Sequence, residues 1–120
     1  MNKRFTFSHV GINAENRDEA TKTAKMLCEI FDLIPKIPEK GSPYAGANIE
    51  LVLPAGHKGK MGHIAFYTDD IEAGIRELEE RGIALDHDAV KRNSDDNSIY
   101  LIYLKEEFCG FAVHLLGPKH

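Results

Sequence analysis

Hydrophobic and polar residues alternate near the start of the chain in the way expected of a β-strand. Over residues 4–13 this alternation places Phe7 and His9 on one face and Val10 and Ile12 on the other. The pattern therefore predicts a strand with one apolar face and one face that also carries polar side chains.

A helical period follows this strand. Asn16, with Glu19 three positions later, is a capping-box signal, and the period continues to about Asp32. Apolar side chains three or four positions apart predict the buried face of this helix: Ala20, Ala24, Leu27, Cys28 and Phe31.

Short strands and turns are predicted for the remainder of the first half. Pro35 and Pro38 exclude a helix and allow an edge strand at best. Residues 40–48 are rich in turn formers and predict a hairpin, whereas residues 48–53 predict a strand. Residues 54–62 then form a linker to the second half.

The second half begins with the same order of elements. Residues 62–68 predict a strand, and Asp69 or Asp70 is placed to cap a following helix. That helix is expected to end at Arg81-Gly82, because a basic residue followed by glycine is a helix-stop signal.

Three further strands are predicted after the second helix. Residues 83–90 give a weak strand pattern, and residues 98–105 and 111–117 give stronger ones. Each half is thus β-α-β-β-β. The chain is predicted to be a single α+β domain of two paired modules, about residues 1–55 and 61–120.

Residues that can bind a metal occupy matching places in the two modules. His63 follows His9 by 54 residues, and His114 follows Glu50 by 64 residues. A self-similarity of this kind indicates an internal repeat. If the two modules pack about a pseudo-twofold axis, the four side chains would converge, which is a hypothesis for a shared metal site.

Taken singly, each of these residues has a simpler interpretation. A lone histidine in a strand is more often a hydrogen-bonded core residue than a ligand, and Glu50 would be ordinary on the exposed face of an edge strand. However, Glu50 interrupts the aliphatic run of Ile49, Leu51 and Val52. A carboxylate is costly to bury there unless it is paired, hydrogen-bonded or bound to a metal.

Composition narrows the class of protein. A chain of 120 residues that is 42% hydrophobic is long enough for one soluble domain with a real core. A net charge of −4 with mixed signs argues against nucleic acid as the main partner. No apolar run is long enough for a membrane helix, and residues 1–9 lack the apolar segment of a secretory signal.

The two cysteines point to the cell interior. Cys28 and Cys109 are far apart in the sequence and form neither a disulfide framework nor a thiolate metal motif. A cytoplasmic location is therefore expected.

Four short motifs resemble the vicinal-oxygen-chelate superfamily, which includes glyoxalase I, fosfomycin-resistance proteins, extradiol dioxygenases and bleomycin-binding proteins. The motifs are HVGI, IELV, GHIAF and GFAVHLL. The last motif, GFAVHLL, also resembles the end of the glyoxalase-like domain joined to some bacterial keto-deoxy-phosphogluconate aldolases. This resemblance implies paired β-α-β-β-β modules that form an open, cup-shaped sheet.

The resemblance also implies a metal centre with one ligand from each of four strands: His9, Glu50, His63 and His114. Three imidazoles and one carboxylate suit a divalent ion such as Zn²⁺, Ni²⁺, Co²⁺, Mn²⁺ or Fe²⁺. The expected function is a metal-dependent lyase or isomerase that chelates two neighbouring oxygens of a small metabolite, with Glu50 as the base. The alternative is a non-catalytic module that binds or senses such a molecule.

Departures from glyoxalase I affect the expected substrate. His114 stands where that enzyme has a glutamate. Asn13 and Pro54 stand where an arginine and an asparagine that bind glutathione are expected. Glutathione is therefore not the expected substrate. Asn13 and Tyr67 each follow a ligand histidine by four residues and are predicted to contact the substrate. Because an open sheet has exposed edges, a homodimer is expected, either with modules exchanged between the chains or without exchange.

Overall fold

The computed structural model of the protein describes residues 4–120, so the first three residues of the first predicted module lie outside it. Its eight strands are β1 (Thr6–Asn13), β2 (Pro35–Lys36), β3 (Tyr44–Ala45), β4 (Ile49–Val52), β5 (Gly62–Tyr67), β6 (Lys91–Arg92), β7 (Ile99–Tyr103) and β8 (Phe111–Leu116). Its two α-helices are α1 (Arg17–Phe31) and α2 (Ile71–Glu80). Short 3-10 turns lie at Pro54–Gly56 and His87–Ala89.

The strands form one sheet in the order β2-β3-β4-β1-β5-β8-β7-β6. In each module the first strand is central and pairs in parallel with the last strand, β1 with β4 and β5 with β8. The two central strands pair antiparallel and join the modules. The predicted α+β fold of paired β-α-β-β-β modules is therefore confirmed.

Helix α1 covers the first module. Asn16 caps it by accepting a hydrogen bond from the backbone N–H of Glu19 at 2.8 Å, as the capping signal predicts. Ala20, Ala24 and Cys28 are buried against the sheet. The prediction that Phe31 is buried is wrong, since this side chain is 65% exposed. The strands under the last turn of α1 are only two residues long and leave it little surface to pack on.

Helix α2 covers the second module over a separate apolar cluster. The Asp70 side chain caps this helix by accepting from the backbone N–H of Ala73 at 3.1 Å. The buried cluster contains Ile71, Ile75, Leu85, Ile99, Ile102 and Leu115.

The strand predicted over residues 83–90 is wrong. The Asp86 side chain accepts a hydrogen bond from the backbone N–H of Asp88, which favours a local turn over a strand. A 3-10 turn therefore forms at His87–Ala89, and the edge strand begins only at Lys91. The apolar pattern reflects burial of single residues such as Leu85 and not a continuous strand.

A β-bulge at Ser8 changes which residues of β1 share a face. Phe7 pairs with Phe66, but His9 pairs with Ala65, so Ser8 is an extra residue in β1. The predicted placement of Phe7 and His9 on one face is therefore wrong, because a bulge inserts one residue into the alternation. The bulge leaves Phe7 on the face that holds Phe66 and turns His9 toward the opposite, concave face.

Both helices are short, with 15 residues in α1 and 10 in α2. Within residues 4–120, no helix is long and apolar enough to cross a membrane.

Candidate metal centre

The four candidate ligands lie in two rows that cross the middle of the sheet. In the first row Gly11 of β1 pairs with Glu50 on one side and with His63 on the other. In the second row Ala65 of β5 pairs with His9 on one side and with His114 on the other. Residues paired across strands share a face, so all four side chains project from the same face of the sheet.

Each row has a small residue at its centre, and this allows the flanking side chains to converge. Ala65 is fully buried between His9 and His114. Gly11 leaves room for His63, since a Cβ atom built at this glycine would overlap the His63 ring. Sequence analysis missed both residues as parts of the site, although a glycine inside a predicted strand is a signal of close approach.

The side chains of the first module meet those of the second at short distances. The Nε2 atoms of His9 and His63 are 3.1 Å apart. One carboxylate oxygen of Glu50, Oε1, lies 3.3 Å from His9 Nε2 and 3.2 Å from His63 Nε2. One chain thus supplies both halves of the cluster, so its assembly does not require modules to be exchanged between chains.

His114 completes a group of three imidazoles. Its ring centre lies 5.0 Å from that of His63 and 6.0 Å from that of His9. One nitrogen of each ring lies within 4.8 Å of the others. Each of the three histidines is at most 9% exposed.

The cluster leaves buried polar atoms without protein partners. Both ring nitrogens of His114 and Nδ1 of His63 have no hydrogen-bond partner. A buried donor or acceptor without a partner costs about 1–3 kcal/mol. A metal ion bound among these rings would satisfy one of the two His114 nitrogens and would also bind the Nε2 atoms of His9 and His63, which is the chemical reason to regard the cluster as a metal centre.

The spacing of the donor atoms fits a small divalent ion. Two ligand atoms about 2.1 Å from a common metal are about 3.0 Å apart in an octahedral arrangement and about 3.4 Å apart in a tetrahedral one. The separations among His9, Glu50 and His63 are 3.1, 3.2 and 3.3 Å and fall between these values.

The protonation states of His114 and Glu50 suit metal binding at neutral pH. Burial lowers the pKa of His114 to about 3, and the charges of His63 and His9 act in the same direction. Burial alone would raise the pKa of Glu50, but hydrogen bonds and charges from His63 and His9 outweigh it and hold that pKa well below its usual value. A neutral imidazole and an ionised carboxylate are the forms that bind metals.

The cluster lies in a cavity of about 810 Å³ on the concave face. Tyr67 lines this cavity, and so do Tyr44 and Tyr103, which sequence analysis did not identify. Burial, followed by the negative charge of Glu50, raises the pKa of both Tyr44 and Tyr103, so each is a neutral hydrogen-bond donor at neutral pH. Residues from both modules contribute to the remaining wall: Ser42, Val52, Gly56, Lys91, Tyr100, Leu101, Leu116, Gly117, Pro118 and Lys119.

Asn13 occupies a different place from Tyr67. Its side-chain amide donates to the backbone carbonyl of Gly59 at 3.2 Å, which fixes the linker between the modules. Asn13 is not among the described residues that line the cavity. Its buried Oδ1 has no partner.

A second group of possible ligands lies on the surface. Asp95, Asp96 and His120 are close together but exposed. His120 Nδ1 lies 2.9 Å from the Asp95 carboxylate, and Ser98 donates to Asp96, so these groups already have partners. These contacts give no indication that the surface cluster binds a metal.

Gly11→Ala is expected to lower the metal affinity of the site about tenfold or more, because the added Cβ would displace the His63 ring. Titration of the purified protein with Co²⁺, followed by visible absorption, measures this change. Gly56→Ala is the matched control, since its Cβ would meet Val52 at an ordinary distance of 3.4 Å. Equal affinities for the two variants would contradict the role given to Gly11.

No protein-family model matches the chain, and no curated protein matches it. Solved structures share its fold. A methylmalonyl-CoA epimerase is 21% identical and matches 99% of this chain and 100% of its own length, with a TM-score of 0.65. A variant of the Streptomyces coelicolor methylmalonyl-CoA epimerase, in complex with 2-nitronate-propionyl-CoA, is 20% identical over 95% of this chain and 97% of its own, with a TM-score of 0.60.

A hypothetical protein from Bacillus halodurans is also similar, with 18% identity over 98% of this chain and 97% of its own and a TM-score of 0.64. At such identities the likeness establishes a shared fold. It matches the glyoxalase-like fold that the sequence motifs imply.

Proposed function

We propose that the protein is a metal-dependent isomerase of the vicinal-oxygen-chelate type, acting on a small acid with two neighbouring oxygens. The observation that carries this proposal is the convergence of His9, His63 and His114 beside Glu50 inside a cavity. Buried imidazoles without protein partners are costly in a protein that does not use them. A divalent ion held by these four side chains would bind one of the two unpartnered ring nitrogens of His114 together with the closely spaced donor atoms of His9, Glu50 and His63.

The structural neighbours support the isomerase over the lyase. Two of the solved structures described above are epimerases, and an epimerase is an isomerase. An epimerase moves a proton at a carbon next to a carbonyl group, which needs a base and a means of stabilising negative charge on oxygen. The resemblance to the aldolase-linked domain adds 2-oxo acids and sugar-acid phosphates to the candidate substrates, beside acyl-CoA thioesters.

The residues of the cavity have distinct roles in this proposal. A bound metal would supply a Lewis acid for two neighbouring substrate oxygens. Glu50, ionised at neutral pH, would leave the metal, take the proton from the adjacent carbon and deliver it to the neighbouring carbon, so that one base completes the isomerisation. Tyr44 and Tyr103 remain protonated and donate hydrogen bonds to substrate oxygens. Tyr67 forms part of the wall that positions the substrate.

A non-catalytic binding module is the second candidate function. The observation in its favour is that Glu50 is the only carboxylate in the cluster, because His114 occupies the fourth position. One carboxylate leaves a single strong base where a two-base proton transfer would need two. The same cavity would then hold a chelating metabolite without converting it.

Exchange of substrate hydrogen with solvent deuterium tests the choice between the two. The metal-loaded protein is incubated in D₂O with methylmalonyl-CoA and with a panel of 2-hydroxy and 2-oxo acids, and NMR measures loss of the proton next to the carbonyl. Metal-dependent exchange with any of them supports the isomerase. Binding of a panel member without exchange supports the binding module.

We also propose that the protein is a homodimer in the cell interior. An exposed apolar surface at the end of α1 and along the edge strand β2 has no partner in the described part of the chain. We call it the α1–β2 patch: Met26, Ile30, Phe31, Leu33, Ile34 and Ile37. Such patches, and open sheet edges, usually mark an interface. Both cysteines are free, in keeping with a reducing compartment.

A second copy of the chain is the proposed occupant of this patch. Phe31 lies on the buried face predicted for α1 yet is exposed in one chain, and burial against a second copy would resolve that difference. Ile34→Lys is expected to produce monomers of 13.4 kDa, whereas the parent protein sediments at twice that mass. Phe108→Lys, which changes an exposed apolar residue elsewhere, is the control. A monomeric parent protein at micromolar concentration would reject the dimer.

A further inference from the structure

The cavity has a cationic side that the metal cluster does not explain. Lys91 and Lys119 are the lysines among the described residues that line it, and both belong to the second module. The acidic residue of the same lining is Glu50, which already contacts His9 and His63. With a divalent ion in place, the described lining of the cavity therefore carries a net positive charge that Glu50 offsets only in part.

The sheet register places Lys91 one row away from the metal cluster. Lys91 pairs with Leu101, Leu101 with Leu116 and Leu116 with Tyr67. This row runs parallel to the row that holds His9 and His114, two residues further along the strands. Rows two residues apart on one face are separated by about 7 Å along the strands, and neighbouring strands by about 4.8 Å across the sheet. Lys91 on β6 is thus one row and two strands away from His114 on β8, and its side chain lines the far side of the cavity.

Residues 117–120, here called the strap, bring Lys119 to the same side. The backbone N–H of Gly117 donates to the carbonyl of Tyr100 at 2.8 Å. The amide of Asn93 donates to the carbonyl of Pro118 at 3.0 Å and accepts from the backbone N–H of His120 at 2.8 Å. Asn93 is only 3% exposed, so these bonds form in a dry environment and hold the strap firmly.

The Lys119 side chain is oriented along the cavity wall. Its Nζ lies 5.1 Å from the centre of the Tyr100 ring, within cation–π range, and Tyr100 itself lines the cavity. An ammonium group held over an aromatic face keeps free N–H donors for an anion. Neither Lys91 nor Lys119 forms an ion pair in the described part of the chain within 4.0 Å of a carboxylate.

We propose that Lys91 and Lys119 form an anion-binding subsite for a second negatively charged group of the substrate. The substrate would bind the metal through two neighbouring oxygens and place a distal carboxylate or phosphate on the side of the cavity that Lys91 and Lys119 line. This inference rests on the proposed function and narrows the substrate class to acids with two anionic ends. A neutral or singly charged chelator lacks the group that the lysines would bind.

Matched chelators test the subsite directly. Acetohydroxamate presents only a metal-binding head, succinic acid monohydroxamate adds a distal carboxylate, and phosphonoacetohydroxamate adds a phosphonate. Each is titrated into the Co²⁺-loaded protein and followed by visible absorption. The two compounds with a distal anion are expected to bind about tenfold or more tightly than acetohydroxamate. Their order shows whether the subsite prefers carboxylate or phosphate-like groups.

Lys91→Met and Lys119→Met are each expected to weaken the preference for a distal anion, and the double variant is expected to abolish it. Co²⁺ and acetohydroxamate should bind to these variants as they do to the parent protein. Lys25→Met, which removes a surface charge on α1, is the control for net charge. If Co²⁺ and acetohydroxamate bind but the distal anion adds no affinity, or the lysine variants keep the preference, the subsite is rejected and the metal centre stands. If Co²⁺ does not bind, the proposed function and this inference both fail.

Discussion

Replacing His63 with alanine is expected to lower the affinity of the protein for Co²⁺ and Zn²⁺ about 100-fold or more. His63 is the side chain closest to the centre of the cluster, with contacts to Glu50 at 3.2 Å and to His9 at 3.1 Å and a ring beside that of His114. Loss of an orienting partner alone costs 10–100-fold in metal affinity, and loss of a ligand costs more. Isothermal titration with each metal measures the change.

His87→Ala provides the matched control for this variant. His87 also lies near a carboxylate, 2.7 Å from Glu79, but on the surface and outside the cavity. Its loss should leave metal affinity unchanged. Because His63→Ala also removes a partner of the Glu50 carboxylate, a melting curve of the metal-free variant is recorded to separate loss of metal affinity from loss of fold. Unchanged affinity in a folded His63→Ala protein would remove this residue from the site.

Glu50→Gln is expected to reduce solvent-deuterium exchange of the substrate identified from the panel by about 100- to 10,000-fold, the usual contribution of a positioned general base. The amide keeps the shape of the side chain and one oxygen that can face the metal, but it cannot accept a proton at neutral pH. The exchange rate is measured at saturating metal for parent and variant, so that a weaker metal affinity does not imitate a loss of catalysis.

Glu107→Gln, which changes an exposed carboxylate outside the cavity, is the control for this substitution. Tight binding of the same substrate to the Glu50→Gln protein would show that the cavity is intact. If the exchange rate of Glu50→Gln equals that of the parent protein, Glu50 is not the base, and another group in the cavity must move the proton.

The internal repeat and the family resemblance together predict the fold class and a convergence of the four candidate ligands. Strand alternation is a local property, and each of His9, Glu50, His63 and His114 lies within a predicted strand. The internal repeat then relates the two halves without any knowledge of tertiary contacts. Both signals survive small errors in strand boundaries.

Features that depend on cross-strand register could not be predicted in this way. The bulge at Ser8 alters which side of β1 faces the cavity, and no local pattern marks it. Gly11 and Ala65 become part of the site only because they stand between two ligands in the observed register. Lys91 begins strand β6. The sequence pattern predicts this strand over residues 83–90 instead, where Asp86 stabilises a turn.

Anomalous diffraction from crystals of the metal-loaded protein tests the central claim most directly. With data collected at the absorption edge of the bound ion, the account predicts one peak per chain among His9, Glu50, His63 and His114, with metal–ligand distances of about 2.0–2.2 Å. The absence of a peak there, or a peak only at the surface group of Asp95, Asp96 and His120, would contradict it.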